Sequence, residues 1–317
     1  MHAAAINLRG GVSPRNTRLR GQSITEYVLI IAVVSLVVVF AGPAVAGAIR
    51  NQFNLVGNTV NSVTTGGVEG GTSDGGSADA DSATVQAAVA KDAKDWTLGE
   101  QKAVAEDIAA KGEASSAYAK AEAAMDAGTK FSVKLTDGKT LTYRIIGINH
   151  DNLADGSGKA GLTFEATNTV LGAQRMNATN TNVGGWEKSE LRGRLNSGDL
   201  WSLLPTEIQS KVKSVKKITD NQGGSSAGTP SATTDKVFLL SSTEVWGDMQ
   251  SDGTQYEYYK SKGVTTSNYS GASSSYNHWS RSVSPSNSPY FRSVYSYGDW
   301  YDGNATGTDY VFPAWCF

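Results

Sequence analysis

The sequence predicts an α+β protein with a long amino-terminal hydrophobic helix, a Gly-rich linker, short helices and a carboxy-terminal mixed α/β domain. Three observations predict it. First, the 23 positions Tyr27–Ile49, between Glu26 and Arg50, carry no charge and are mostly apolar. Second, Ala83–Ala127 is rich in Ala, Lys, Glu and Asp, with apolar positions at the spacing of one helix face. Third, the period changes at Gly128. Phe131-Ser132-Val133-Lys134-Leu135 alternates as a half-buried strand, and Asp137-Gly138 is a strong turn signal before a return strand at Thr140–Ile148.

Residues 1–21 form a basic leader, with Arg9, Arg15, Arg18 and Arg20 and no acid. Such a segment before an apolar one stays on the cytoplasmic side while the rest is exported. The apolar run that follows would span about 34 Å as a helix at about 1.5 Å per residue. A hydrocarbon core is about 30 Å thick. Glu26 at its edge is costly, because a carboxylate at the centre of such a helix costs about 2.5–3.5 kcal/mol on insertion scales. Pro43 removes one helix hydrogen bond within the same run.

Two processing sites compete. Ala44-Val45-Ala46, after Gly42-Pro43, has the small residues of a secretory cleavage site, and the mature chain would then begin at Gly47. The other lies between Gly21 and Gln22. Gly21, four further residues, Glu26-Tyr27 and an aliphatic run resemble the leader of Flp-type (tight-adherence) pilins, within the wider type IV pilin class. The resemblance covers about residues 18–50. It implies that a prepilin peptidase cuts after Gly21, and that residues 22–63 are the pilin-like helix. Glu26, with Tyr27 beside it, would serve assembly by pairing with the new α-amino group of a neighbouring subunit. Two buried opposite charges relieve each other, whereas either alone is costly. The implied partners are identical or related pilin subunits, the peptidase and the membrane. The implied location is the inner (cytoplasmic) membrane and then a filament at the cell surface. The major Flp pilins are very short, and this chain continues far beyond them.

Residues 64–82 hold Gly66-Gly67, Gly70-Gly71 and Gly75-Gly76 among Ser, Thr and Asp. They have little apolar surface to bury and read as a flexible linker. Residues 83–128 form a helical segment. Thr97-Leu98-Gly99-Glu100 has capping-box spacing, Gly112 ends one helix, and Glu113–Ala127 forms a second. Residues 129–317 make the carboxy-terminal domain. After the first hairpin, Leu162–Ala166 and Val170–Met176 are expected as strands and Trp186–Leu195 as a helix. A short helix begins at Pro205, favoured in a first turn. Val215–Thr219 is extended, Asp220–Thr234 a polar loop, Lys236–Ser241 a buried strand, and Ser242–Trp246 a helical turn. His278–Ser282 and Tyr290–Val294 are strand candidates.

That ordered series, with the Phe312-Pro313-Ala314-Trp315 ending, resembles a family of bacterial surface domains of unknown function related to C-type-lectin-like and sulfatase-modifying-factor folds. The family often closes with Arg-Pro-Ala, and Phe312 stands here where the arginine would be. The resemblance implies a compact C-type-lectin-like domain with its ends close together and a long irregular loop region. It implies no reaction.

Composition and motifs point away from catalysis. The net charge of −2 with 18% charged residues is too balanced for a nucleic-acid binder. Cys316 is the single cysteine, so no intrachain disulfide and no paired-thiol mechanism is available. A small buried apolar side chain is its expected role, with a thiol nucleophile or an intermolecular bridge as alternatives. His2, His150 and His278 are far apart and make no metal pattern. His150, in Asn149-His150-Asp151-Asn152, reads as a loop histidine. Gly-x-Ser-x-Gly occurs at Gly71–Gly75 and Gly224–Gly228, but the first falls in the Gly-rich linker and the second in the polar loop, not at the strand-to-helix turn of a nucleophile elbow.

The strongest candidate for ligand binding is Asp299, Trp300, Asp302 and Asn304, with Asp309 beyond. Acidic and amide oxygens beside a tryptophan can coordinate calcium and stack a sugar, though turn chemistry explains the same residues. No other cofactor is indicated. The Tyr/Ser/Gly/Asn/Trp mixture from Gln255 to Tyr301 resembles adaptable binding surfaces. The expected partner is a glycan or protein on a host or other surface.

Overall fold

The computed structural model describes residues 82–285 and 287–317. The basic leader, the pilin-like helix and the linker as far as residue 81 lie outside the described residues, and so do Gly21, Gln22, Glu26, Tyr27 and the alternative cleavage site after Ala46. No described helix is long and apolar enough to cross a membrane. Within the described residues the expected mixed α+β class is found, with short helices and three sheets.

Three helices open it. Ser82 caps α1 (Ala83–Val89) by accepting a hydrogen bond from the Val85 amide. Thr97 and Glu100 form the expected capping box at α2 (Leu98–Lys111), and Gly112 ends that helix with φ +59°. The next helix starts later than its composition suggests. Gly112–Ala114 is a 3-10 turn, and Ser115 is extended and accepts a hydrogen bond from the Ala117 amide, so α3 runs only from Tyr118 to Asp126. Val104, Ala105, Ile108, Ala121 and Met125 are buried in one hydrophobic cluster with the sheets.

The first sheet contains β1 (Phe131–Lys134), β2 (Thr140–Ile148), β3 (Leu162–Ala166), β7 (Val237–Phe238) and β12 (Ala314–Cys316), in the order β1-β2-β3-β12-β7. All its pairings are antiparallel. The hairpin turns at Asp137-Gly138, where Gly138 takes φ +84°. The last strand thus lies inside the sheet, with β2 and β3 between it and β1. Phe131, Tyr143, Phe164, Trp315 and Phe317 interlock there, with neighbouring ring centroids 5.0–6.1 Å apart. Edge-to-face and offset pairs of this kind stabilise beyond their buried area. Helix α2 presses on β3 so closely that a Cβ at Gly161 would lie 1.8 Å from the Ala105 carbonyl oxygen.

The second sheet has the order β10-β9-β8-β11-β4, from β4 (Ala173–Gln174), β8 (His278–Val283), β9 (Tyr290–Val294), β10 (Trp300–Asn304) and β11 (Asp309–Tyr310). Strands β8 and β11 pair in parallel, and the other pairings are antiparallel. A separate hairpin joins β5 (Val215–Thr219) to β6 (Ser231–Asp235). The expected Asp220–Thr234 loop is therefore shorter, because Thr233 and Asp235 point inward opposite Lys217 and Val215.

The remaining differences have local causes. The expected Trp186–Leu195 helix is two pieces, α4 (Gly185–Lys188) and α5 (Glu190–Asn196). Between them Ser189 adopts ψ 138° and accepts a hydrogen bond from the Arg192 amide as a new cap. Helix α6 (Asp199–Leu203) precedes α7 (Thr206–Gln209), and Pro205 caps α7 from outside. The expected strands at Val170–Met176 and Lys236–Ser241 shrink to β4 and β7. Ser241 leaves β7 to form a capping box with Glu244 for α8 (Ser242–Trp246). Helix α9 (Glu257–Ser261) completes the set.

Candidate functional site

The residues singled out for binding fall on and around the edge strand β10. Side chains on a strand alternate between faces, and that alternation divides the group. Trp300, Asp302 and Asn304 share one face. Tyr301 and Gly303 share the other.

On the first face, Asp302 stands opposite Arg292 of β9. It pairs with the Arg292 guanidinium at 2.6 Å and accepts a hydrogen bond from Ser284 Oγ at 2.9 Å. The same guanidinium lies 4.2 Å from the centroid of the Trp300 ring. Such a contact contributes about 0.5–1 kcal/mol at an exposed site. Trp300 is 37% exposed, so the strand presents a tryptophan edge braced from beneath by an arginine. Asn304 is occupied locally, accepting from the amide and hydroxyl of Thr306.

On the second face, Tyr301 stacks on Tyr295 at 4.2 Å, and Tyr295 stacks on Tyr297 at 4.9 Å. Tyr269 meets Tyr297 at 6.0 Å, and Tyr297 is 53% exposed. The Tyr301 hydroxyl donates to Asp309. Burial pushes both groups up from their ordinary values, and for Tyr301 the Asp309 carboxylate adds to the rise. Asp299 belongs to the turn between β9 and β10, where its carbonyl accepts from the Tyr295 amide at 2.7 Å. Gly298 makes this turn possible: it takes φ +100°, and a Cβ would fall 2.1 Å from the Tyr269 carbonyl oxygen.

The structure thus brings Trp300 together with Asp302, and Tyr301 with Asp309, on opposite faces. Among the described residues no group of three or more His, Cys, Asp or Glu side chains is placed to hold a metal ion. The arrangement suits stacking and hydrogen bonding rather than cation coordination.

A second constellation, which sequence reasoning missed, lies in the interior. Lys217 Nζ is 2.6 Å from Asp151 Oδ1, 2.6 Å from Glu244 Oε1 and 2.9 Å from the Tyr256 hydroxyl. Arg281 clamps Glu244 through both terminal nitrogens and donates from Nε to Thr219 Oγ1. Asp151 also accepts from Thr163 Oγ1 and the Tyr256 hydroxyl. Burial works to raise the Asp151 and Glu244 carboxyls. The Lys217 ammonium for the first, and Arg281 with Lys217 for the second, override it and hold both below the usual carboxylate range.

Asp151, Lys217, Glu244 and Arg281 are each no more than 4% exposed. No solute reaches them, so the cluster is a structural clasp joining the loop after β2, β5, α8 and β8. His150 stacks on the Tyr256 ring at 4.1 Å and sits 3.1 Å from the Glu257 carboxylate oxygens. Cys316 is fully buried. Burial first, and Asp151 beside it, push its thiol well up and leave it unreactive. His278 is buried against Phe312, and burial lowers it to about 4.

Residues 160–317 match the family described as Domain of unknown function (DUF6273). No curated protein matches the chain, and no solved structure does. The matched stretch starts just before β3. The α1–α3 helices and the β1–β2 hairpin precede it, yet share its first sheet and its hydrophobic cluster.

Proposed function

We propose that the chain is a pilin-like structural subunit of a surface filament, displaying a C-type-lectin-like, non-enzymatic domain for adhesion. The observation that carries this reading is Gly21 five residues before Glu26-Tyr27, at the head of a charge-free apolar run. Processed after Gly21, the chain would be anchored by residues 22–63 in the membrane and then packed by them into a filament. Glu26 would pair there with the Gln22 amino group of a neighbour. The outer unit would face the surroundings.

The tyrosines and tryptophan around β10 support recognition as its task. Tyr297 and Trp300 offer flat apolar rings with polar tips, the combination that binds sugars or peptide surfaces without a large pocket. The burial of Cys316 and His278 and the closed salt-bridge clasp support a reading without catalysis. A secreted or membrane-anchored binding protein without a filament is the second reading, favoured by Ala44-Val45-Ala46 after Gly42-Pro43.

The test is to shear filaments from producing cells and detect the outer unit with an antibody. The wild-type chain is expected in the sheared fraction, and Glu26→Ala is expected to leave it in the membrane fraction. Equal incorporation of the Glu26→Ala chain, or no wild-type chain in filaments, would contradict the assembly role. A glycan array with and without calcium tests recognition, with Trp300→Ala expected to weaken binding at least tenfold.

A further inference from the structure

The interior cluster around Lys217 holds an amine against a carboxyl with water shut out. Lys217 Nζ stands 2.6 Å from Asp151 Oδ1, so the Asp151 Cγ lies one bond beyond the amine. Glu244 Oε1 stands 2.6 Å from the same nitrogen. The two Asp151 oxygens have different partners. Oδ1 faces the lysine, while Oδ2 accepts from Thr163 Oγ1 at 2.6 Å and from the Tyr256 hydroxyl at 2.8 Å. The Phe238 and Tyr256 ring centroids lie 4.2 Å and 5.2 Å from Nζ. Thr163, Phe238 and Tyr256 are all fully buried.

These are the parts a condensation needs. Fixed juxtaposition of two reacting groups acts as an effective concentration of about 10⁵–10⁸ M. A closed apolar surround removes the competing hydrolysis. Two fixed donors on one oxygen stabilise the negative charge that develops there.

We propose that Lys217 and Asp151 join in an intramolecular amide bond, formed once in the folded chain, with Glu244 carrying the proton. A proton first passes from the Lys217 ammonium to Asp151 Oδ1, which gives a neutral amine and a neutral acid. The Nζ lone pair attacks Cγ, and the charge collects on Oδ2 under Thr163 and Tyr256. The Glu244 carboxylate takes one proton from the nitrogen and returns it to Oδ1. The Cγ–Oδ1 bond then breaks, Oδ1 leaves as water, and the carbonyl re-forms at Oδ2. Ammonium plus carboxylate become amide plus water, and Glu244 ends as it began.

Charge balance selects Asp151 over Glu244 as the carboxyl that reacts. Arg281 donates to both Glu244 oxygens and is fully buried. An amide at Glu244 would leave that guanidinium unpaired inside the fold, which is costly. An amide at Asp151 removes one positive and one negative charge together and leaves the Arg281–Glu244 pair intact. The bond would close a loop between residues 66 apart, tying the segment after β2 to β5, and such closures stabilise by restricting the unfolded chain. It would form whichever way the amino terminus is processed, so it is independent of the filament reading.

The experiment is mass spectrometry of the full-length protein, purified folded, then denatured and digested with trypsin. The expected product is a branched peptide, Ile145–Lys159 joined to Lys217–Lys236, lighter by one water than the sum of the two. Recovery of Ile145–Lys159 unlinked, with cleavage after Lys217, would overturn the proposal. A branch to Val237–Lys260, which contains Glu244, would overturn the choice of Asp151. Lys217→Arg keeps the charge without the amine and is expected to leave Ile145–Lys159 unlinked. Persistence of a link at Asp151 in that variant would contradict the role of Lys217. Followed during refolding, the bond is expected to form at least tenfold more slowly in Glu244→Gln and in Thr163→Val. An unchanged rate in either would overturn the part given to that residue, and the wild-type digest decides the bond itself whether or not a variant folds.

Discussion

At the scale of single residues, the fold depends on buried charges that sequence periodicity did not reveal. In Val215-Lys216-Lys217-Ile218-Thr219 the buried and exposed positions alternate, and Lys217 falls on the inward face with Val215 and Thr219. The extended character was legible, but the inward face was not, because Ile218 points outward while Lys217 points inward. Nor were the partners, because Asp151, Glu244 and Arg281 come from a loop, a helix cap and another sheet. Removing one member of such a cluster leaves a buried charge unpaired, at about 3–5 kcal/mol. Lys217→Met is therefore expected to lower unfolding free energy by that order in urea titrations, and a loss below about 1 kcal/mol would contradict the role given to the cluster. His278 adds a separate pH dependence. Its folded value of about 4 lies below its ordinary 6.5. As pH falls through 6.5 the unfolded chain takes up a proton that the folded chain refuses, so stability declines until about pH 4. Between pH 6.5 and 4.5 the slope is expected to approach about 1.4 kcal/mol per pH unit. His278→Gln is expected to flatten it, and an unchanged slope would show that His278 is not its source.

At the scale of elements, local signals did well where they were self-contained. The capping box at Thr97, the Gly112 stop and the Asp137-Gly138 turn each rest on neighbouring residues, and each is found. Ser189 shows the opposite case. Trp186–Leu195 has helical spacing throughout, but a serine in mid-run can cap a new helix instead of continuing the old one. Strand β10 is similar: Trp300–Asn304 reads as turn chemistry alone, and its strand character comes from pairing with β9. The candidate residues were legible by type, but not their division between two faces, since that follows from strand alternation once β10 exists. The contact of α2 with β3 is fixed by backbone rather than by side chains. Gly161→Ala would force a Cβ against the Ala105 carbonyl, and overpacking costs about 1–3 kcal/mol or more. A substantial drop in thermal midpoint is expected, and a wild-type midpoint would mean that α2 can withdraw from the sheet at little cost.

At the scale of the whole molecule, the amino-terminal segment and the folded unit have different kinds of support. The unit is built from α1–α3, two five-stranded sheets and the β5–β6 hairpin, and the proposed recognition role rests on its exposed aromatic rings. The proposed filament role rests on the sequence of residues 18–50: it would need Gly21 to be cut, Glu26 to find a counter-charge and the apolar run to pack. Each rival account makes a different mature chain. The most direct measurement is the amino-terminal residue of the protein recovered from producing cells, by intact mass and amino-terminal sequencing. The filament account predicts Gln22. A chain beginning at Gly47, or an intact Met1, would contradict it.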